Sequence, residues 1–136
     1  MRTKQRGFTL IELLVTIAIV AILALIAIYV FSSQVSKSRR SDGINSLLSI
    51  SLAEERYRST NTQYGTLTQV WGSTTTSAEG YYTLSVSNVS ATSYTITATA
   101  QGSQANDSEN GTSCATLTLA VSNGTITKTP SVCWPT

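Results

Sequence analysis

The feature that most constrains this chain is a run of apolar residues near its N-terminus, from Phe8 to Phe31. At ~1.5 Å per residue, a helix of about 24 residues is ~36 Å long, enough to cross the hydrocarbon core of a bilayer with some tilt. A secretory signal peptide would have a shorter apolar region followed by an Ala-x-Ala-like cleavage site, and no such site follows here. Arg2, Lys4 and Arg6 precede the run, which predicts a cytoplasmic N-terminus and a head outside the cytoplasm.

The helical pattern continues beyond Phe31, because no proline interrupts it and apolar residues recur at steps of three and four. The sequence therefore predicts one helix from about Phe8 to about Ser59, with an apolar half at 8–31 and an amphipathic half at 32–59. Gly43 is expected to be a weak point in this helix. A helix of roughly 50 residues exceeds what a small globular domain needs, so half of it must be buried in something else.

Residues 60–136 are predicted to form a β-rich head with an antiparallel sheet. Asn61–Gly80 has no period and is predicted to be a connecting loop, and Gln101–Ser113 to be an exposed loop. Asn123-Gly124 favours a type I′ hairpin. We predict an α+β fold in which the sheet covers the amphipathic half of the helix, with Leu48 and Leu52 in the core. The apolar alternation that predicts the strands comprises Tyr82, Leu84 and Val86, then Tyr94, Ile96 and Ala98, then Leu117, Leu119 and Val121.

Composition argues against several function classes. The chain has no histidine, no glycine-rich phosphate loop and no paired acids, so we expect neither an enzyme nor a cofactor site. Two thiols without histidine do not make a metal site. Beyond Thr60 the only charged residues are Glu79, Asp107, Glu109 and Lys128, so the head has no electrostatic footprint for binding nucleic acid by itself.

The two cysteines, Cys114 and Cys133, are close in sequence and are predicted to lie outside the cytoplasm. Both facts favour a disulfide over two reduced thiols. Closing a loop of about 18 residues contributes ~3 kcal/mol in the chain-entropy model. The loop, with its Asn-Gly turn and Pro130, is expected to form an exposed edge, and Trp134 is expected to pack as a lid rather than to act as an adhesive contact.

Glu12 is the one acidic residue in the apolar run. A carboxylate near the start of a membrane span costs several kcal/mol unless it snorkels to water or serves a purpose. It ends the string Lys4-Gln5-Arg6-Gly7-Phe8-Thr9-Leu10-Ile11-Glu12, and KQRGFTLIELL strongly resembles the prepilin motif of type IV pilins and pseudopilins. The C-terminal segment CATLTLAVSNGTITKTPSVCW is similar to the disulfide region of minor pilins.

The resemblance implies that residues 1–7 are a leader, that a prepilin peptidase cuts between Gly7 and Phe8, and that the new amine of Phe8 is methylated. We expect the Glu12 carboxylate to neutralise the Phe8 amine of a neighbouring subunit and so to set the register of assembly. The small residues Ala18, Ala21, Ala24 and Ala27 would allow close approach of neighbouring helices. The implied partners are other pilin subunits, the peptidase, the inner-membrane assembly machinery, and DNA or a host surface as ligands of the filament.

The resulting hypothesis is a type IV pilus subunit, major or minor, that is held in the inner membrane before assembly and is extracellular afterwards. The resemblance implies that the filament would serve adhesion, twitching motility or DNA uptake. A type II secretion pseudopilin is the alternative, and a single-span anchor that does not assemble is a third. The chain departs from many pilins in having Tyr29 where they carry a proline and Ala21 where they often carry a glycine, so we expect an unbroken helix.

Overall fold

The computed structural model of this chain describes residues 7–135. The leader assigned to residues 1–7 therefore lies outside the described residues, apart from Gly7. The chain divides into two compact units, of which the first ends at Val35 and the second begins at Ser36. Helix α1, Leu10–Arg58, contributes to both units.

Helix α1 has 49 residues and is continuous through Gly43 and position 29, as expected for a chain without proline in this segment. Thr9 precedes it, and its hydroxyl oxygen accepts a hydrogen bond from the backbone N–H of Glu12 at 3.3 Å. This contact satisfies one of the N–H groups that a helix leaves unpaired in its first turn. Among the described residues, α1 is the one helix that is long and apolar enough to cross a membrane.

The head contains a four-stranded antiparallel sheet in the order β1-β2-β5-β6. The strands are β1 (Tyr82–Ser87), β2 (Ser93–Ala100), β5 (Thr116–Ser122) and β6 (Thr125–Thr129). A separate two-stranded ladder, β3 (Ser108–Glu109) with β4 (Thr112–Ser113), lies in the connection between β2 and β5. The sequence thus correctly predicted an α+β head with an antiparallel sheet.

The period-two alternation of the strands places one face of the sheet against α1. Ile96 pairs with Val86 on one side and with Leu119 on the other, so one row of apolar residues crosses three strands. At the β5–β6 turn, Asn123 and Gly124 both have positive φ, as a type I′ turn requires. From α1, the core receives Ile44, Leu47 and Ile50.

Leu48 and Leu52, which we expected in the core, are instead 44% and 54% exposed. The prediction was wrong because the sheet covers a narrower strip of the helix, centred on Gly43, Leu47 and Ile50. Gly43 defines that strip rather than weakening the helix. A Cβ added at this position would stand 2.9 Å from the ring of Tyr82, so the missing side chain is what lets the ring pack on the helix backbone.

Two predicted loops are more ordered than the sequence indicated. The connection at 61–80 contains a short helix, α2 (Leu67–Trp71), and an isolated bridge joins Thr76 to Thr83. The segment Gln101–Ser113 is not simply exposed. This segment contains a 3-10 helix (Gly102–Asn106). The side chains of Gln104, in that helix, and of Asp107, directly after it, are buried.

Candidate functional site

The N-terminal end of the described chain presents an apolar surface that nothing in its own unit covers. Its large apolar side chains are 47% to 82% exposed, with Phe8 and Leu10 the most exposed. Contiguous apolar surface of this extent marks a site that is buried by lipid or by another protein. Repeated alanines lie among these side chains, which suits close helix packing.

Glu12 lies in the first turn of α1 and is solvent-exposed. Its backbone N–H is capped by Thr9, but none of the ion pairs among residues 7–135 includes its carboxylate. A negative charge in the first turn interacts favourably with the helix macrodipole. The exposed carboxylate is therefore accessible to a cationic partner.

In the head, Arg40 is the centre of a buried ion-pair cluster that connects α1 to the segment before the first cysteine. Its guanidinium donates to both carboxylate oxygens of Asp107, with Nε–Oδ2 at 2.6 Å and Nη2–Oδ1 at 2.8 Å. Glu109 joins the cluster, accepting from Arg40 Nη1 at 3.2 Å and from Lys37 Nζ at 3.0 Å. The Arg40 and Asp107 side chains are 7% and 2% exposed.

The electrostatics of this cluster follow from its geometry. Hydrogen bonding to Asp107 raises the pKa of Arg40, against the opposing effect of burial. Hydrogen bonds from Lys37 and then Arg40 lower the pKa of Glu109. Breaking a buried bidentate pair leaves an uncompensated charge, so this cluster fixes the segment 102–109 on the helix.

Gln104 supplements the cluster from the 3-10 helix. Its Nε2 lies 2.9 Å from the backbone oxygen of Ser36, 3.1 Å from Tyr82 Oη and 3.2 Å from Asp107 Oδ2. This amide thus joins the first residues of the head's helix to the sheet. Sequence reasoning missed the cluster because Arg40 and Asp107 are far apart in the chain. The available signal was that two of the four charged residues beyond Thr60 are acids in one polar segment.

The C-terminal end carries the predicted disulfide between Cys114 and Cys133, whose Cα atoms are 5.7 Å apart. Trp134 is buried beside it, as the lid prediction expected, and its indole N–H donates to the backbone oxygen of Thr129 at 3.5 Å. Lys128 lies 5.1 Å from the centre of the Trp134 ring. Every residue of β6 is exposed, which agrees with the predicted exposed edge for that strand. The prediction was wrong for β5, the other strand within the disulfide loop, because its Leu117, Leu119 and Val121 are buried in the core.

Two family models match consecutive parts of the sequence. The model described as "prokaryotic N-terminal methylation motif" matches residues 2–28. The model described as "type IV minor pilin ComP, DNA uptake sequence receptor" matches residues 30–118, which include most of the head.

Individual proteins give the same picture. A type IV major fimbrial protein, FimA, of Dichelobacter nodosus is 40% identical over 45 residues, which cover 33% of this chain and 28% of that protein. The type IV major pilin PilE of Neisseria gonorrhoeae is 37% identical over 78 residues, covering 57% of this chain and 42% of PilE. A fimbrial protein of Neisseria meningitidis is 38% identical over the same length. The matched region thus spans less than half of each relative.

Proposed function

This chain belongs to the type IV pilin family, and from that membership we propose that it is a minor subunit of a type IV pilus. Members of the family are structural proteins that assemble with other pilin subunits, so the chain is not an enzyme. One observation carries the choice of a minor subunit: the minor-pilin model extends over β1, β2 and the start of β5, not only over the helix. The matches to the major pilins are shorter.

The apolar half of α1 supports a pathway that begins in the inner membrane and ends in an extracellular filament. The prepilin peptidase would cut after Gly7, and methylation of the Phe8 amine would keep its positive charge. Glu12, which has no ion-pair partner among the described residues, would then neutralise that amine on a neighbouring subunit. Two opposite charges inside a low-dielectric bundle strongly favour pairing, and that pairing would set the axial register of each new subunit.

Replacing Glu12 by alanine tests this assignment. Because the substitution removes a charge from the apolar segment, membrane insertion is expected to persist, while recovery in sheared surface filaments falls to background. Glu55→Gln, which removes an exposed charge from the head and keeps an acceptor for the tyrosine hydroxyls that Glu55 contacts, is the matched control and is expected to assemble. Normal incorporation of the Glu12 variant would refute the assembly role.

The proportion of the protein in those filaments tests the minor-subunit assignment. We expect a small fraction of the filament mass, with Phe8 N-methylated in mass spectra of the recovered protein. A chain that forms the bulk of the filament would be a major pilin. Absence from surface filaments, together with loss of protein secretion on deletion, would instead identify a type II secretion pseudopilin.

DNA binding by the head is a second candidate function, suggested by the family description that names a DNA uptake sequence receptor. From residue 36 onward the sequence has six basic residues (Lys37, Arg39, Arg40, Arg56, Arg58, Lys128) and six acidic ones (Asp42, Glu54, Glu55, Glu79, Asp107, Glu109), so its net charge is zero. Bulk charge therefore does not favour DNA. The groups that would contact phosphates are two cations that lie over aromatic rings, Arg39 at 4.8 Å from the centre of the Tyr81 ring and Lys128 over Trp134.

If the head binds DNA, these two cations are the contacts to remove. Arg39→Ala with Lys128→Ala is expected to abolish the retardation of duplex DNA by the full chain, and the affinity of the unmodified chain should fall steeply as salt rises. The exposed Arg56→Ala serves as the control for a simple loss of charge. If Arg56→Ala weakens DNA binding as much as the Arg39 and Lys128 substitutions do, the head has no defined DNA site.

A further inference from the structure

The connection at 61–80 is fastened to α1 by a carboxyl group near each of its ends. Near the start, Glu54 Oε2 accepts the backbone N–H of Gly65 at 2.8 Å. Near the end, Asp42 Oδ1 accepts the backbone N–H of Glu79 at 3.2 Å. Backbone hydrogen bonds of 2.7 Å and 2.9 Å also join the end of the connection to β1, so the end would stay in place if the start were released.

Glu54 is fully buried, and polar contacts compensate its burial only in part. The residue is 0% exposed, and no donor among residues 7–135 contacts its Oε1. None of the ion pairs that the structure describes includes it. An ionised carboxylate held away from water without a cation costs far more free energy than the neutral acid. The closed connection therefore favours the protonated form of Glu54.

The charged and titratable groups around Glu54 reinforce that preference. Glu55 brings a second carboxylate, which accepts the hydroxyl of Tyr64 at 3.2 Å and that of Tyr94 at 3.4 Å. Arg58, one turn further along α1, donates to two backbone oxygens instead. Burial raises the pKa of Glu54 above 4.5, the hydrogen bond from the backbone opposes this shift, and the negative charge of Glu55 adds to it.

Gly65 packs too closely against its neighbours for water to enter beside it. A Cβ added at Gly65 would stand 2.5 Å from Val70 Cγ1, in α2, and 3.2 Å from the ring of Tyr57, in α1. Hydration of an ionised Glu54 therefore requires Gly65 to move away from α1, and its contact with Val70 means that α2 moves with it. Such a movement is a local opening that leaves the sheet folded.

We propose that Glu54 is a pH-sensitive latch: its protonated carboxyl group keeps the segment 64–71 on α1, and loss of the proton releases that segment while 75–79 stays on β1. In the released state the carboxylate is hydrated and titrates at its ordinary value, so the closed state binds more protons. The equilibrium constant for opening is therefore constant below pH 4.5, rises by up to about tenfold per pH unit as far as the raised pKa, and is constant above it. The latch lies wholly in the head and does not depend on the proposed place of the chain in a pilus.

Amide hydrogen exchange of the full chain in detergent, followed by NMR from about pH 4 to about pH 8, tests the latch. The readout is the protection factor of the Gly65 N–H, which is the ratio of its intrinsic exchange rate to the observed one. The pH dependence of the exchange chemistry cancels in this ratio. We expect the protection factor to fall by up to about tenfold per pH unit and then to level off.

The N–H of Leu84, which donates to Thr75 in the pinned end of the connection, is the internal reference. It should remain better protected than the Gly65 N–H. Low urea should speed exchange at Leu84 but not at Gly65, because a local opening exposes little surface. Equal protection and equal urea dependence of the two amides would mean that Gly65 exchanges by global unfolding, which would overturn the proposal.

Glu54→Gln is the decisive variant, because its amide keeps an acceptor for the Gly65 N–H and carries no charge. Its Gly65 protection factor should not change with pH. Glu55→Gln is the matched control, since it removes a neighbouring exposed charge and keeps an acceptor for the tyrosine hydroxyls, so the slope should persist. A slope that survives in Glu54→Gln, or one that disappears in Glu55→Gln, would assign the pH sensitivity to another group and overturn the proposal.

Direct titration of the Glu54 carboxyl group needs no substitution. Its ¹³C resonance in the unmodified chain is expected to shift with a midpoint above pH 4.5. A midpoint at or below that value would overturn the proposal even if the glutamine variant failed to fold.

Discussion

The two halves of α1 have the same backbone conformation and entirely different surroundings. Every described side chain from 10 to 34 is exposed, whereas Ile44, Leu47 and Ile50 are buried against the sheet. The first half therefore needs lipid or other helices to cover it, while the second half is covered by its own chain. It follows that substitutions in the second half should change the stability of the head, and substitutions in the first half should change where the protein resides.

The largest expected effect on the head comes from Arg40→Ala. It leaves Asp107 buried without its cation, which costs about 3–5 kcal/mol of unfolding free energy. The measurement is urea unfolding of the full chain in detergent, followed by tryptophan fluorescence. Arg56→Ala removes an exposed arginine from the same helix and is expected to change the free energy of unfolding by less than about 0.5 kcal/mol.

A double substitution refines the interpretation of that result. Arg40→Met with Asp107→Leu removes both charges and fills the space with apolar atoms, so it should be more stable than Arg40→Ala alone. If the double variant is as unstable as the single one, the uncompensated carboxylate is not the cause.

Adjacent leucines provide the next test, because Leu47 is fully buried and Leu48 is 44% exposed. Leu47→Ala should lower the free energy of unfolding by about 2–5 kcal/mol, through lost burial and a cavity. Leu48→Ala should lower it by about 0.5 kcal/mol or less. Equal losses in the same urea titration would mean that the sheet covers a wider strip of the helix than described.

The smallest effect is a pH slope caused by Glu54, which is fully buried and whose Oε2 accepts the backbone N–H of Gly65 at 2.8 Å. Burial raises the pKa of Glu54 above its ordinary value of 4.5, although the Gly65 hydrogen bond opposes the shift. Between 4.5 and the raised pKa the folded head binds more protons than the unfolded chain. Its contribution to stability therefore falls as pH rises through that interval.

Glu54→Gln should remove this slope from the pH dependence of the urea midpoint. Glu109 contributes with the opposite sign, because its pKa is lowered and its stabilisation is lost as pH falls below 4.5. The contribution of Glu109 is the same in the unmodified chain and in the Glu54→Gln variant, so it cancels when their urea midpoints are subtracted. An unchanged slope in the Gln variant would contradict the role assigned to Glu54.

The sequence predicted those parts of the fold that depend on local periodicity. Strand alternation identified Tyr82, Ile96 and Leu119 as core residues, and the Asn-Gly pair identified the last hairpin. Which leucines of α1 face the sheet was not predictable, because Leu47 and Leu48 fit a helical stripe equally well. The choice depends on the ring of Tyr82 contacting Gly43, and nothing in the local sequence indicates that contact.

The sequence also did not indicate which charged residues pair over long distances in the chain. The motif at Gly7, Phe8 and Glu12 can be recognised in sequence because its residues are consecutive or nearly so. Arg40 and Asp107 are 67 positions apart, and a chain alone does not show which acid a given arginine will meet. Asp42 and Glu79 are likewise 37 positions apart, and they approach each other only on folding.

The position of the Arg40 cluster has a mechanical consequence. In the filament proposed above, tension along α1 would enter the head at its first residues, beginning with Ser36. There it meets Arg40 and, through Asp107, a backbone hydrogen bond of 2.8 Å from the N–H of Cys114, one end of the covalently closed loop. Load entering the head is thus passed at once to a cross-linked element, so we expect the head to yield late, and as a unit, when a pilus is stretched.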